Sequence, residues 1–334
     1  MLKRYCAVLI SGMLMTSSAW SAANTPLRIG WVFAMANAPA LIAEKQGFYQ
    51  QEGLNVELKA FGDGPVIQQA LAAHELDAAY IGAPPVYQWF ARGLKGQIIA
   101  GVNTGQAALI VGEKSPIASL ADLRGKRIAG VNKGSGMDVL LRGLVLRQHA
   151  GLEADKDLSV VSMPAGNMQA ALRQGVVDAA FTWEPFVSEA LLRGEAKLLF
   201  DVNQAQPDYP WYVVMALPET LKDRPDDVVK LLKAHKKAVD FLNQQPEKAN
   251  EIIAAAFKLQ AIETAQGHRI APAAIVDEAR KRIRWSATIT PAALTFIQRL
   301  MNDSLALGYL QKPMKAQDVV DPQWLQKAGI QDTP

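Results

Sequence analysis

The stretch DAAFTWEPF, residues 178–186, repeats a pattern that occurs earlier in the chain as DAAYIGAPP, residues 77–85. Both copies begin with Asp-Ala-Ala and an aromatic residue, and both place a proline at the same distance from the aspartate. A short apolar run that ends in a Gly or Pro turn is typical of a buried strand. Because the pattern returns about a hundred residues later, it indicates two copies of one structural unit.

The residues before each copy repeat as well. Strand-like and helical patterns alternate in the order strand, helix, strand, helix, strand over residues 27–33, 38–53, 54–61, 64–75 and 76–82. The same order returns over residues 126–131, 136–151, 158–163, 167–175 and 176–183. Strands that alternate with helices predict a mostly parallel sheet covered by helices. We therefore expect two α/β lobes.

The segments outside these units set the expected domain boundaries. The chain from Pro218 onward is mainly amphipathic helix, and such helices need a lobe to pack against. We expect them to return to the first lobe, which gives lobe I residues 24–112 and 216–334 and lobe II residues 113–215. Two crossings between the lobes would form a hinge, and a ligand is expected in the cleft between them.

Residues 1–23 have the three parts of a secretory signal peptide: a basic start, an apolar run and a small-residue segment. The apolar run is shorter than the roughly 20 residues that span a bilayer. Cleavage near Ala23 would remove the only cysteine, Cys6, and the two positive charges of Lys3 and Arg4, which lowers the net charge from +3 to +1. We expect a soluble, exported protein of the periplasm. Its nearly balanced charge gives no reason to expect a nucleic-acid partner.

Candidate ligand-binding residues follow the strands, because ligands of open α/β sheets bind beyond the carboxyl ends of the strands. They are Trp31, Phe33, Asn37, Asp63, Gly64, Gly82 and Ala83 in the first unit, Gly134, Ser135, Gly136, Asn167, Trp183 and Glu184 in the second, and Trp211 after it. Glycine turns before helices offer N–H groups to an anionic or strongly polar ligand group, although they also simply permit tight bends. The aromatic residues indicate a wall for an organic ligand.

Two of these candidates are acids with an alternative structural role. Asp63 precedes a predicted helix and is interpreted mainly as its N-cap. Glu184 is expected to orient its own loop by accepting backbone N–H bonds. Contact with an amine or N–H group of the ligand stays open for Glu184.

The sequence gives poor support for catalysis. The four histidines, His74, His149, His235 and His268, have no paired metal-ligand spacing and are expected on the solvated surface. The chain has no Gly-x-Ser-x-Gly elbow, and the loop KGSGMD, residues 133–138, lacks the P-loop ending. We therefore expect no enzyme activity, no metal and no cofactor.

The chain resembles the periplasmic solute-binding proteins of aliphatic sulfonate, taurine and nitrate ABC importers. The similar stretches are residues 39–57, 64–85, 115–130, 132–143 and 171–186, within a region of about residues 27–217. The resemblance implies a type II periplasmic-binding fold, which closes over a small organic or oxoanionic solute and delivers it to a membrane permease and its ATPase. Such a receptor is expected to be a monomer. By position, the turns at Gly64, Gly82, Ser135 and Trp183 would line the ligand site.

The chain departs from the sulfonate-type pattern at two of these turns. That pattern has Ser or Thr after the third strand and a serine pair in the Gly-Ser loop, where this chain has Ala83 and Gly136. Fewer hydroxyl groups would then meet the ligand. A solute with one anionic end, or a heteroaromatic such as a pyrimidine precursor of thiamine, is the alternative. An enzyme on the same fold and the effector part of a transcription regulator are further alternatives, disfavoured by the signal peptide and by the lack of an N-terminal DNA-binding helix pair.

Overall fold

The computed structural model describes residues 25–264 and 266–331, so the signal peptide expected at residues 1–23 lies outside the described residues. The first unit contains the strands and helices β1 Leu27–Val32, α1 Ala38–Lys45, α2 Phe48–Gln51, β2 Val56–Phe61, α3 Gly64–Ala72, β3 Ala78–Gly82, α4 Ala83–Ala91, β4 Gln97–Gly101 and β5 Asn103–Thr104. The helix predicted over residues 38–53 is broken, because Gly47 takes a left-handed conformation with φ of 68° between α1 and α2.

From β7 onward, the second unit follows the same order. It contains β6 Ala107–Gly112, β7 Arg127–Gly130, α5 Gly136–Val139, a π-helix over Leu140–Ala150, β8 Ser159–Ser162, α6 Ala165–Arg173, β9 Ala179–Trp183, α7 Phe186–Leu192, β10 Ala196–Asp201, α8 Val202–Ala205 and β11 Tyr212–Ala216. The rest of the chain contains α9 Pro218–Asp223, α10 Pro225–Gln244, α11 Pro246–Ala256, β12 Ile262–Glu263, β13 Arg269–Ile270, α12 Pro272–Arg280, β14 Arg284–Trp285, α13 Pro291–Ala306 and α14 Gln323–Lys327. Short 3-10 helices cover Met35–Asn37, Leu120–Leu123 and Ala316–Asp318.

The two units form two five-stranded sheets with the same layout. The strand order is β2-β1-β3-β11-β4 in the first sheet and β8-β7-β9-β6-β10 in the second. In each sheet the first three strands are parallel, and the fourth runs antiparallel to its neighbours. This duplicated arrangement confirms the two α/β lobes predicted from the sequence.

The strands that cross between the lobes correct the expected boundaries. β6, which was assigned to lobe I, pairs with β9 and β10 in the second sheet. β11, which was assigned almost entirely to lobe II, pairs with β3 and β4 in the first sheet. The chain therefore passes from the first lobe to the second just before β6, and it returns just before β11. Each of these two strands belongs to the sheet of the lobe that the chain has just entered.

The repeated aspartate performs the same task in both lobes. Asp77 accepts a hydrogen bond of 2.7 Å from the backbone N–H of Arg28, whose guanidinium pairs with it at 2.6 Å. Asp178 accepts a hydrogen bond of 2.8 Å from the backbone N–H of Arg127 and pairs with its guanidinium at 3.2 Å. Each aspartate thus joins the start of the third strand to the start of the first.

The C-terminal helices pack mainly on the first lobe. α10 lies against α1 and α2, whereas α12 contacts α7 of the second lobe and α13 contacts both α4 and the π-helix. His235 of α10 is fully buried, which corrects the expectation of a solvated position, because the helix covers the first sheet. Within the described residues, no helix has the length and apolar character needed to cross a membrane.

Candidate functional site

Two adjoining cavities lie where the lobes meet at the carboxyl ends of their strands. The inner cavity has a volume of about 20 Å³, room for about one water molecule, and is lined by Val32, Asp63, Gly64, Gly82, Pro85, Val131, Ser135, Gly136, Met137, Trp183, Trp211 and Tyr212. The outer cavity has a volume of about 510 Å³ and is lined by Phe33, Gly62, Asp63, Val131, Asn132, Ser162, Met163, Pro164, Ala165, Gly166, Trp183 and Phe186. Asp63, Val131 and Trp183 line both cavities.

The lobes touch across this cleft. A Cβ atom added to Gly82 would lie 3.5 Å from the Cα atom of Gly136 on the opposite lobe. The Gln88 side chain donates a 3.1 Å hydrogen bond to the Gly134 carbonyl oxygen, and the Asn132 side chain donates to the Asp63 carboxylate. The structure is therefore the closed arrangement of the two lobes, which explains the small inner cavity.

Asp63 supplies the negative charge of the site. Its carboxylate accepts a 3.2 Å hydrogen bond from the Val66 N–H and caps α3, as the sequence indicated. The second oxygen accepts from Asn132 across the cleft. Because Asp63 also lines both cavities, capping and ligand contact are compatible roles for this residue.

The loop of Gly134, Ser135 and Gly136 is held by one buried carboxylate. Asp138 accepts a 3.0 Å hydrogen bond from the Gly134 N–H, and it accepts from Arg142 at 2.5 Å and from the Tyr309 hydroxyl at 2.6 Å. The Ser135 hydroxyl in turn accepts from the Asp138 N–H at 3.2 Å. Much of the hydrogen-bonding capacity of this loop is thus used within the protein.

Two of the helices that begin at the cleft, α3 and α4, offer few N–H groups to an anion. In α3 the second residue is Pro65, and the Val66 N–H is bonded to Asp63. In α4 the second and third residues are Pro84 and Pro85, which have no N–H. Among the described residues that line either cavity there is no Lys, Arg or His. These cavity walls therefore have no positively charged side chain that would attract an oxoanion.

Aromatic side chains form the walls. Trp183 is buried, and its indole N–H has no hydrogen-bond partner within the described chain. Trp211 meets Tyr209 and Tyr212 edge to face, with ring centroids 5.5 and 6.1 Å apart. Phe33 stacks on Phe257 at 4.2 Å and lines the outer cavity. An organic body would contact these rings.

The structure brings together only part of the candidate set. Eight of the candidates line the two cavities: Phe33, Asp63, Gly64, Gly82, Ser135, Gly136, Trp183 and Trp211. The others lie outside the cavity walls. Trp31, Asn37 and Ala83 are buried in the first lobe, Gly134 faces a separate groove beside α4, and Asn167 is exposed on α6.

Glu184 is also outside the cavity walls, and its carboxylate has structural partners. It accepts 3.0 and 2.9 Å hydrogen bonds from the backbone N–H and hydroxyl of Ser188, and it pairs with Arg282 at 3.1 Å. Burial raises the pKa of Glu184 to about 7, although Arg282 and Ser188 act in the opposite direction. These contacts match the loop-orienting role that the sequence favoured.

Several lining residues were missed by reasoning from the sequence. Val32 and Tyr212 stand next to candidates in the chain, and Pro85, Val131 and Asn132 lie within three positions of one, so the end-of-strand rule could have included them. The same rule could have included Ser162, the last residue of β8, and Phe186 lies two positions after the candidate Glu184. Within the described residues, no group of three or more His, Cys, Asp or Glu is arranged to hold a metal ion.

Comparison with known proteins places the chain in a family. The pattern of the NMT1-like family matches residues 21–257. A binding protein of Brucella abortus (strain 2308) is 30% identical over 240 residues, which cover 71% of this chain and 73% of that protein. A protein of Bacillus subtilis (strain 168), named as an aliphatic sulfonates-binding protein, is 29% identical over 232 residues and 68% of each chain.

Solved structures share the fold. The periplasmic aliphatic sulphonate binding protein SsuA of Escherichia coli superposes with a TM-score of 0.72 at 22% identity, covering 89% of this chain and 92% of that chain. The desulfurization enzyme DSZB superposes with a TM-score of 0.62 at 19% identity, covering 90% and 98%. The chain therefore belongs to the NMT1-like family, and its resemblance to periplasmic solute-binding proteins is confirmed.

Proposed function

We propose that this protein is the solute-binding component of an ABC importer, which captures a small solute in the periplasm and delivers it to a membrane permease and its ATPase. The observation that carries the proposal is the closed cleft between two matching lobes, with a small cavity at the carboxyl ends of both sheets. A two-lobed protein with a hinge can enclose a ligand without chemistry. The relatives named as binding proteins support this function over an enzyme.

The ligand that fits the site best is a compact organic solute with an aromatic or otherwise planar body and an N–H group. Trp183, Trp211 and Phe33 would contact the body, while the Asp63 carboxylate would accept from the N–H group. An oxoanion would meet the negative charge of Asp63 and no basic side chain on the described cavity walls. The heteroaromatic alternative is thus favoured by the geometry.

An alkanesulfonate is the second candidate because one relative is named for that ligand class. Gly136 leaves room for close approach of a compact anionic group to the backbone, whereas the space beside Gly64 is filled by Pro85. Taurine would combine such a group with an ammonium that could pair with Asp63. Nitrate would use neither the aromatic walls nor the carboxylate.

A thermal-unfolding panel tests the proposal. The mature protein would be melted with uracil, cytosine, nicotinamide, taurine, ethanesulfonate, sulfate and nitrate. A ligand present at a hundredfold excess over its Kd stabilises the native state by about 2.7 kcal/mol. We expect a nitrogen heterocycle to raise the midpoint most, and Trp183→Ala to remove the shift.

One control variant and two contrary results decide the outcome. Trp89→Ala changes a tryptophan on α4 outside the cavity walls and should leave the shift intact. No shift with any compound would contradict the binding function. Chemical turnover of a bound compound would support the enzyme alternative instead.

A further inference from the structure

The carboxylate of Asp63 is buried on the walls of both cavities without a cationic partner. Asp63 is 8% exposed, and its carboxylate accepts from the Val66 N–H and from the Asn132 amide, both of them uncharged donors. Among the described residues, no Lys, Arg or His forms an ion pair with it. The N-terminal end of α3 offsets part of the negative charge, but a buried carboxylate is normally paired with a full positive charge. A positive group from outside the chain would complete that pairing.

The acids that stand next to lining residues in the chain already have such partners. Asp138 pairs with Arg142 at 2.5 Å. Glu184, directly after β9, pairs with Arg282 at 3.1 Å. Both arginines are thereby committed to carboxylates of the protein, and the described cavity walls contain no basic side chain. The uncompensated charge of the site is therefore the negative charge of Asp63.

The Asn132 amide occupies one oxygen of the Asp63 carboxylate in the closed structure. The carbonyl oxygen of this amide accepts a 3.0 Å hydrogen bond from the Ser162 hydroxyl, which holds the NH2 group toward Asp63. A neutral N–H group of a ligand would replace the Asn132 bond with a similar one. A cation would add the attraction between opposite charges, which is strong in a site shielded from water. This contact across the cleft therefore favours a positively charged solute.

Aromatic side chains accompany the carboxylate on the cavity walls. On the described walls they are Phe33, Trp183, Phe186, Trp211 and Tyr212. Trp183 lines both cavities, as Asp63 does. The faces of aromatic rings attract cations, and tryptophan does so most strongly. Because the same rings also contact neutral apolar bodies, it is their combination with an unpaired carboxylate that indicates an organic cation.

We propose that this site selects an organic cation: a small aromatic or planar solute with an ammonium, an amidinium or a protonated ring nitrogen that pairs with Asp63. The proposal rests on the proposed function and specifies the charge of its ligand. The cationic group would replace the Asn132 donor at the Asp63 carboxylate, and the rings of Trp183 and Trp211 would contact the charged body. An anion would bring a second negative charge to walls without a basic side chain.

Benzamidine, benzamide and benzoate test the charge of the ligand, because at neutral pH they are a cation, a neutral amide and an anion of nearly equal shape. Calorimetry would measure the Kd of each probe for wild type and for Asp63→Asn. We expect wild type to bind benzamidine roughly ten- to a hundredfold more tightly than benzamide, and benzoate least tightly. Asp63→Asn should reduce the preference for benzamidine over benzamide to about threefold or less.

Asp201→Asn is the matched control. Asp201 also caps a helix, since its carboxylate accepts a 2.8 Å hydrogen bond from the Asn203 N–H at the start of α8, and it lines neither cavity. This variant loses the same charge as Asp63→Asn and should keep the wild-type preference for benzamidine. Trp183→Leu keeps an apolar side chain but removes the aromatic face, so it should lower that preference several-fold.

Three results would overturn the proposal while the receptor function stands. Wild type would bind benzamide or benzoate as tightly as benzamidine, Asp63→Asn would retain the full preference for benzamidine, or wild type would bind a neutral or anionic compound of the thermal panel and not benzamidine. Absence of binding by the three probes and by every compound of the thermal panel would instead contradict the receptor function itself.

Discussion

At the scale of single residues, Asp63 is the acidic side chain on the described walls of the two cavities. It combines a helix cap, a contact with Asn132 across the cleft and a position on the wall of both cavities. Its charge is opposed by no basic side chain on the described cavity walls. Replacement of the charge alone is therefore an informative change.

Asp63→Asn should keep α3 capped, because Asn is as good an N-cap as Asp. Loss of the negative charge weakens a charge-assisted hydrogen bond, which contributes about 1.5–3 kcal/mol. We expect the Kd of a ligand with an N–H or ammonium group to rise at least about tenfold, with little change in the unfolding midpoint. Calorimetry measures the Kd of both proteins. If wild type bound an anion more tightly than Asp63→Asn does, the proposed role of the Asp63 charge would be contradicted.

Two buried titratable residues have opposite effects on stability. Burial lowers the pKa of His235 to about 4, so the unfolded chain binds its proton more tightly and stability rises with pH from about 4 to 6.5. Burial raises the pKa of Glu184 to about 7, so the folded chain holds that proton and stability falls as pH rises from about 4.5 to 7.

The two contributions should largely cancel between about pH 4.5 and 6.5. In Glu184→Gln only the His235 contribution remains. Over this pH range we therefore expect the unfolding free energy of the variant to rise with pH by up to about 1.4 kcal/mol per pH unit. His235→Gln keeps an N–H donor for the Gly101 carbonyl oxygen and should show the reverse slope. Urea unfolding at several pH values measures both, and equal slopes in the two variants would refute the assignment.

The role of Glu184 shows the limit of sequence reasoning about residues. The sequence placed it correctly after a strand, but it also counted Glu184 among the ligand-binding candidates, and Glu184 lies outside the cavity walls. Its decisive partner, Arg282, lies 98 positions away and follows a helix of the other part of the chain. No local pattern predicts that pairing, because it arises only when α12 packs against α7.

At the scale of helices and strands, apolar runs in the sequence predicted the parallel strands well. The wrong predictions concern segments whose residue types favour one structure while packing in the fold favours another. The Ala83-Pro84-Pro85 sequence resembles a turn, yet it begins α4, since proline is tolerated in the first helical turn. The predicted helix over residues 136–151 is α5 followed by a π-helix. In the π-helix, Gly143 lies against Asp303 of α13, a contact that the sequence does not reveal.

The first crossing between the lobes has a tight glycine. Gly105 has a φ of 76°, and a Cβ atom there would lie 2.2 Å from the carbonyl oxygen of Arg282. Gly105→Ala combines left-handed strain of about 1–2 kcal/mol with a backbone clash, so we expect a loss of more than about 2 kcal/mol in unfolding free energy. Gly53→Ala, with a φ of 67° and open space around the added atom, should cost only the strain. Denaturant unfolding measures the loss of unfolding free energy in both variants. Equal losses for Gly105→Ala and Gly53→Ala would show that the protein relieves the clash at residue 105.

At the scale of the whole molecule, α13 connects the two lobes beside the hinge. Tyr87 of α4 donates a 2.9 Å hydrogen bond to the Leu300 carbonyl oxygen and lies 2.7 Å from the Ser304 hydroxyl. Tyr309, just after α13, donates to Asp138 of the second lobe, which also holds the Gly134 loop. In the closed arrangement, the two lobes are therefore joined both by the contacts across the cleft and by the contacts of α13 and Tyr309.

Removing the Tyr309 hydroxyl should favour opening of the lobes. We expect Tyr309→Phe to shift the distance between spin labels at Lys59→Cys and Ser159→Cys toward longer values without ligand. The only native cysteine is Cys6, in the expected signal peptide, so the labels would be specific. Tyr49→Phe removes a buried hydroxyl within lobe I and should change nothing. Identical distributions for Tyr309→Phe and wild type would contradict a role in closure.

Native mass spectrometry of the protein recovered from a bacterial periplasm tests the receptor function most directly. We expect the mature chain, without residues 1–23, to carry one small organic solute with an N–H group. The same spectrum of Trp183→Ala should show the protein without it. Recovery of the wild-type chain bound only to an inorganic oxoanion, or equal retention of the solute by Trp183→Ala, would contradict the proposed site.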